Sequence, residues 1–184
     1  MVLSLIAFTA LLSTVPQDGA DAWRQGAPRD AEFTDLGDGF IRVTAPTYMV
    51  DLPKGWKVSE ETRWGARKMS PKEGEGEMGA MTAPPGRQSW DQLYRTSLYF
   101  IMREGEGEAT PYTLTKTAKG YEAATFSVIN NAGFADRRYV LIRSEKHGLL
   151  ALNVRIPSKE EEKKWEANFR RMVDSAVFRD NSTR

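Results

Sequence analysis

The apolar residues of this chain change their spacing twice, and this change restricts the possible fold more than any other feature. In 89–103 and 158–176 they recur at every third or fourth position, which is typical of one face of an α-helix. In 110–156 they alternate with polar residues, as in β-strands whose successive side chains point to opposite faces. Short turns join the alternating stretches, so we expect an antiparallel meander between two helices.

Both predicted helices begin at sequences typical of a capping box, Ser89 with Gln92 and Ser158 with Glu161. The apolar stripes of the two helices comprise Trp90, Leu93, Tyr94, Ser97, Leu98 and Ile101 in the first and Trp165, Phe169, Met172, Val173 and Ala176 in the second. Short strands at 48–52, 63–70 and 78–82 add to the meander, for about six in all. The sequence therefore predicts an α+β domain, in which helices cover a predominantly antiparallel β-sheet.

Composition narrows the class of protein. The 184 residues suffice for one domain, and 40% hydrophobic with 28% charged residues is typical of a globular protein. A net charge of +1 is too weak a bias to indicate a nucleic-acid partner. The absence of cysteine excludes disulfides, thiolate metal sites and cysteine nucleophiles. We expect neither a metal nor a cofactor.

The N-terminus is typical of an export signal. An apolar run from Val2 to Val15 precedes Ala20-Asp21-Ala22, a small-x-small pattern that predicts a signal peptide at 1–22, cleaved after Ala22. The run is too short for a stable membrane span, which needs roughly 20 residues. No Lys or Arg precedes the run, so a misplaced start, a weak signal and a buried N-terminal helix remain alternatives. We expect the mature protein in the periplasm or outside the cell.

Three segments are expected beyond the signal. Residues 23–39 are rich in Ala, Gly, Asp and Arg and predict a flexible arm. Residues 40–178 form the predicted domain, and the polar residues 179–184 form a disordered tail.

The order of elements resembles that of a known superfamily. A strand runs into Leu52-Pro53-Lys54-Gly55-Trp56, a helix and a three-stranded meander follow, and a terminal helix ends in Asp174-Ser175-Ala176-Val177-Phe178. Over 40–178 this pattern resembles the PsbP-like domains, which include a photosystem II extrinsic subunit, DcrB-type envelope proteins and a Ran-binding nuclear import factor. The resemblance implies an α/β/α sandwich and a binding or assembly role through protein partners. It implies no catalytic residue.

The loop 130–138 is the first candidate site, because an aromatic residue stands beside two guanidinium groups. Phe134, Arg137 and Arg138 suit a protein interface, and Trp64, between Arg63 and Gly65, is a further candidate. The alternative is that Phe134 folds back onto the core.

Two further features carry chemistry. His147 is the only histidine, so a catalytic triad would have to use it, but Lys146 and Gly148 indicate a plain turn residue. Glu-Gly-Glu-Gly-Glu occurs at 73–77 and 104–108. If Glu75 and Glu106 lay within about 10 Å of each other, their carboxylates could bind Ca²⁺; otherwise they are solvated acidic loops.

The leading hypothesis is therefore an exported, non-enzymatic binding or assembly module that acts through protein partners. The alternative is a carboxylate- or calcium-dependent enzyme, or a calcium-binding protein, that uses the two glutamate loops. A third possibility is a structural domain held near a membrane by an uncleaved N-terminal segment.

Overall fold

The computed structural model describes residues 28–62, 65–102 and 107–180, and these ranges contain twelve strands and two helices. The strands are β1 (Glu32–Asp35), β2 (Phe40–Thr44), β3 (Tyr48–Pro53), β4 (Lys57–Val58), β5 (Ala66–Ser70), β6 (Glu77–Ala83), β7 (Glu108–Ala109), β8 (Thr113–Lys116), β9 (Glu122–Ile129), β10 (Arg137–Ser144), β11 (Gly148–Arg155) and β12 (Val177–Phe178). The helices are α1 (Trp90–Ile101) and α2 (Glu162–Ser175). The prediction of an α+β domain with antiparallel sheets is confirmed.

The strands form two sheets rather than one. The larger has eight strands in the order β4-β5-β6-β11-β10-β9-β7, with β8 also paired to β9, and the smaller has the order β1-β2-β3-β12. The central meander β9-β10-β11 agrees with the prediction, and every strand pair is antiparallel. The count exceeds about six partly because β4, β7 and β12 have two residues each, too few to show any alternation, and partly because β1 lies in the predicted arm and β2 was not predicted.

The two faces of the eight-stranded sheet meet different layers. Its inner face packs against the four-stranded sheet and α2, and this core includes Val43, Leu52, Met78, Leu152 and Phe169. Its outer face packs against α1. This smaller outer core consists of Leu93, Ile101, Ala124, Phe126, Val128 and Leu141. The sheet therefore lies between helical layers, and the four-stranded sheet shares the inner layer with α2.

The structure bears on both predicted helix starts. The capping box of α1 is confirmed: Gln92 N–H donates to Ser89 Oγ at 3.2 Å, and Ser89 N–H donates to Gln92 Oε1 at 2.9 Å. The box predicted for Ser158 and Glu161 is wrong. Helix α2 begins one turn later, after Glu161, which makes no side-chain capping bond. The Ser158 side chain instead hydrogen-bonds Glu160, which competes with capping.

The folded unit extends past both predicted limits. Within the predicted arm, β1 pairs with β2 from Glu32 to Asp35. Beyond Phe178, Arg179 N–H donates to the Thr47 carbonyl at 2.8 Å. The first contact is a hairpin with the next strand, and the second reaches the residue before β3; both are backbone bonds, which composition does not reveal. The predicted signal peptide and residues 181–184 lie outside the described residues.

No helix in the described ranges is long and apolar enough to cross a membrane.

Candidate interaction surface

Large apolar side chains are exposed on one side of the molecule. Among the described residues, those with the largest exposed fractions all lie on α1, at its C-cap or on the outer face that α1 covers: Met81 at 40%, Tyr99 at 62%, Phe100 at 57%, Met102 at 44% and Leu114 at 57%. A concentration of exposed apolar groups on one side marks an interaction surface more often than scattered ones do.

The strand registers explain two of these exposures. One row of paired residues crosses the outer face from β5 to β8: Ala66, Met81, Ala151, Leu141, Ala124 and Leu114. Leu141 and Ala124, in the middle, are buried under α1, whereas Met81 and Leu114 lie towards the two ends and are exposed. Helix α1 is therefore narrower than the apolar row it covers.

Several contacts hold α1 over the middle of this row. The Tyr94 ring meets Phe126 edge-on at 5.0 Å between centroids, and its hydroxyl donates to the Thr110 carbonyl at 2.7 Å. At the N-terminal end of α1, the Arg143 guanidinium lies 4.5 Å above the Trp90 ring. Burial raises the pKa of the Tyr94 hydroxyl. The helix is thus anchored at its start and middle, and its exposed residues form a defined surface.

On one side of α1 the outer face stays open across β11, β6 and β5. We call this area the open trough and define it by Ala66, Gly79, Met81, Ala151 and Asn153. All five are incompletely buried. The Asn153 side chain lies over Gly79, where a Cβ would come within 2.5 Å of Asn153 Oδ1. Gly79 thus lets a polar side chain lie flat on the trough floor.

An open cleft adjoins the trough at the N-terminal end of α1. Its volume is about 530 Å³, and its lining includes Ala83, Leu93 and Leu149 together with Arg87 and Arg143. Arg143 is already engaged, because it donates to Glu122 Oε2 at 2.6 Å and stacks on Trp90. Arg87 is exposed. The cleft therefore combines apolar walls with one outward-facing cation.

The residues predicted for the 130–138 loop do not form one patch. Phe134 is partly buried and packs against the inner core. Arg138 and Arg137 are neighbours in β10 and therefore point to opposite faces. Arg138 pairs with Glu162 and Glu166 of α2, so its guanidinium joins the helix to the sheet.

The fourth candidate, Trp64, lies outside the described residues. The exposed residues of α1 and β6 were missed by the sequence reasoning. Tyr99, Phe100 and Met102 fall off the predicted apolar stripe. The sequence signal that could have identified them is the presence of large apolar residues on the otherwise polar side of α1.

His147 lies in the turn between β10 and β11, as predicted. Its ring stacks on Phe178 at 5.5 Å between centroids, and Nδ1 is 3.7 Å from Asp180 Oδ1. Lys146 Nζ is closer to the same carboxylate, at 2.6 Å, and its hydrogen bond holds the pKa of Asp180 below its usual range. The histidine thus packs against the chain's end, and its acidic neighbour is shared with a lysine.

The first glutamate loop approaches the inner core at Gly76, whereas Glu73 and Glu75 are exposed. Gly76 has φ +93°, and a Cβ there would lie 2.5 Å from the Trp165 ring, so only glycine lets the chain pass this closely. Glu77 belongs to β6 and pairs with Lys68. Glu106 lies outside the described residues, so its distance from Glu75 is not part of the structure. In the ranges that are described, no three acidic or histidine side chains converge on a possible metal position.

A buried ionic cluster lies on the inner side of β5. The Arg67 side chain is completely buried and donates to Asp30 Oδ2 at 2.6 Å, while Glu61 Oε2 is 3.6 Å away. Partial burial of Asp30 by itself raises the pKa of its carboxyl group. The hydrogen bonds from Arg67 and from Glu61 N–H outweigh this and hold the pKa of Asp30 below its usual range. Burial raises the pKa of Tyr48, in the same cluster, to about 12, although nearby Arg67 opposes this. Through these ion pairs, Arg67 joins Asp30 and Glu61 to β5.

Comparisons with known proteins address the fold. Neither a protein-family model nor a curated protein matches the chain. Among solved structures, the chain is similar to cyanobacterial PsbP (CyanoP) from Synechocystis sp. PCC 6803, with a TM-score of 0.52 and 13% sequence identity. The match covers 82% of this chain and 93% of that chain.

The chain has a PsbP-like fold. This confirms the fold that the resemblance implied, and at 13% identity the match shows the fold alone. The relation to DcrB-type proteins stays a prediction. Among the described residues, the large apolar side chains that are most exposed lie on α1, at its C-cap or on the outer face.

Proposed function

We propose that this chain is an exported, non-enzymatic module that binds a protein partner through its outer side. One observation carries the proposal: the large exposed apolar side chains of the described residues gather on α1 and the outer face. Burying such side chains against a partner contributes roughly 25 cal/mol per Å² of apolar surface. Tyr, Phe and Met are also the residue types enriched in protein interfaces.

The remaining polar groups support the same proposal. Three titratable groups with a displaced pKa, Asp30, Tyr48 and Arg67, belong to one cluster that stabilises the fold. His147 is stacked on Phe178. These groups hold the domain together, and the outer side offers apolar contact area. The similarity to a PsbP structure is compatible with a non-enzymatic, protein-interacting module.

Export rests on the N-terminal sequence. The Val2–Val15 run and the Ala20-Asp21-Ala22 pattern support cleavage after Ala22 and a location in the periplasm or outside the cell. Mass spectrometry of the protein from its native cells tests this. The expected mature chain begins at Trp23, and exported material with an intact Met1 would contradict the processing step.

Partner binding is tested by affinity capture from native cells with a tagged full chain. The double change Tyr99→Ser and Phe100→Ser removes two exposed aromatic side chains, and we expect it to abolish recovery of the partner. Such anchors commonly contribute 2 kcal/mol or more each, which is roughly a 30-fold loss of affinity. The control is Asp91→Ser with Arg95→Ser, an exposed ion pair on the same helix. Equal recovery with both variants would reject α1 as part of the binding surface.

A further inference from the structure

The outer face of the eight-stranded sheet is too wide for one helix. Neighbouring strands lie about 4.8 Å apart and packed helices need 8–10 Å between axes, so one helix covers roughly two strands. The buried sheet residues under α1, Ala124, Phe126, Val128 and Leu141, lie on β9 and β10, while Leu149 and Ala151 of β11 are only partly buried at the edge of this core. Across β11, β6 and β5 there is room for one further helix.

We propose that the open trough binds an amphipathic helix of a partner protein that carries carboxylates towards both of its ends. This inference rests on the proposed function and specifies where the partner binds and what chemistry it presents.

The burial of neighbouring residues supports a missing layer over the trough. In β6, Met78 and Ala80 face the inner core and are 0% and 3% exposed, whereas Met81 on the outer face is 40% exposed. In β11, the inner-face residue Leu152 is fully buried, whereas Ala151 on the outer face is only partly buried. The same strands thus have a packed inner face and an open outer one, on which Ala66, Met81 and Ala151 lie beside the exposed ion pair of Lys68 with Glu77.

The backbone pairing selects a helix over an extended segment. Strand β5 lies between β4 and β6, β6 between β5 and β11, and β11 between β6 and β10. Each trough strand therefore has a hydrogen-bonded neighbour on both sides, and no free edge is left for an added strand. A helix satisfies its own backbone groups and needs only side-chain contacts to dock.

The charges at the two ends of the trough select an acidic partner. Arg155 lies in the last outer-face row of β11, opposite Glu77, whose carboxylate pairs with Lys68, and Arg87 lines the cleft at the other end of the trough. Both are exposed, and in the described part of the chain neither has an acidic side chain within ion-pair distance. The seven residues from Leu149 to Arg155 span roughly 20 Å of strand, the length of a helix of about 13 residues. Carboxylates near both ends of such a helix would meet the two arginines.

A photo-cross-linking amino acid at position 81 tests the proposal in native cells that produce the full chain. The matched control is position 114, because Leu114 lies on the same apolar row, is also exposed and lies on the other side of α1. We expect an adduct with one protein from position 81 and a much smaller yield from position 114. The cross-linked peptide should have apolar residues at helical spacing and Asp or Glu towards both ends.

Reversing the charge of the two arginines tests whether they face carboxylates of the partner. Arg87→Glu with Arg155→Glu should lower the cross-link yield at position 81 about tenfold, because charges at the rim govern association. The control, Lys119→Glu with Lys163→Glu, makes the same change in net charge at exposed sites on the β8–β9 turn and on α2, and should leave the yield unchanged. Matching thermal melts would show that all variants fold.

Other adducts from position 81 would overturn the inference: a second copy of this chain, residues 2–15 of the same chain, a lipid, or a basic partner segment. Equal yields at positions 81 and 114 would also overturn it. If position 99 or 114 captures a protein while position 81 does not, the proposed function stands and the trough assignment fails. If no outer-side position captures a protein, both fail.

Discussion

The two faces of the eight-stranded sheet are built from the same strands but differ in what covers them. In β6, Met78 on the inner face is completely buried, whereas Met81 on the outer face is 40% exposed. In β5, Arg67 is completely buried while the next residue, Lys68, is 64% exposed. Alternation assigns residues to faces, but the width of the covering layer decides which of them reach solvent. The difference in cover suggests that the inner face supplies stability and the outer face supplies contact area.

The largest expected effect comes from the charged pair of neighbours in β5. Arg67→Ala leaves the carboxylates of Asp30 and Glu61 without their buried cation and should lower the free energy of unfolding by about 3–5 kcal/mol. Lys68→Ala removes an exposed ion pair with Glu77 and should cost about 0–1 kcal/mol. Urea unfolding of both variants measures the difference. Similar losses would show that the two faces do not divide stability in this way.

The apolar pair in β6 should show the next largest contrast. Met78→Ala creates a cavity in the inner core and should cost about 2–5 kcal/mol. Met81→Ala, the same substitution on the outer face, should change the free energy of unfolding by within about 0.5 kcal/mol. Thermal and urea unfolding compare them directly. A large loss for Met81→Ala would mean that the trough floor is more tightly packed than its exposure indicates.

An alkaline transition should follow from Tyr48 on the inner side. Its folded pKa of about 12 lies above the ordinary value of 10.0, so folding favours the neutral phenol. Stability is therefore fully present below pH 10 and is lost as pH rises through 12, by up to about 3 kcal/mol. Urea unfolding at several alkaline pH values should show this decline in the native chain and a reduced one in Tyr48→Phe. An identical decline in both would assign it to other groups.

The smallest effect is expected at the cap of α1. Ser89→Ala removes the hydroxyl that accepts from Gln92 N–H and should cost about 1 kcal/mol. Since α1 is the cover of the outer face, amide hydrogen exchange should speed up in α1 and remain unchanged in α2. Equal acceleration in both helices would show that the two layers unfold as one unit.

Local patterns were enough to predict most elements of the fold. The stripe of α1 matches its burial, because Asp91, Gln92, Arg95 and Thr96 fall outside it and are exposed. Likewise, the alternation of apolar and polar residues in β9, β10 and β11 predicted the meander that these strands form. In α2, Ser158 and Glu161 matched a capping pattern, but the hydroxyl bonds Glu160 instead, and sequence spacing does not reveal such competition.

The candidate surface was not predictable in the same way. Phe134 and Arg138 looked available as loop residues, but the structure packs one on the inner core and pairs the other with α2. Met81 looked like an ordinary strand residue, and only its position beyond the edge of α1 leaves it exposed. Exposure depends on what lies above a residue, which its own sequence neighbours do not specify.

The sequence by itself determined the helices, the meander and the side of each strand on which its apolar residues lie, because these follow from backbone periods of 3.6 and 2 residues. Tertiary structure alone decided that the strands divide into two sheets, that β1 and β12 complete the smaller one, and that α1 covers only part of the outer face. The reason is physical. Strand pairing and layer packing join residues far apart in the chain, and the area that one helix covers is set by its diameter rather than by any local pattern.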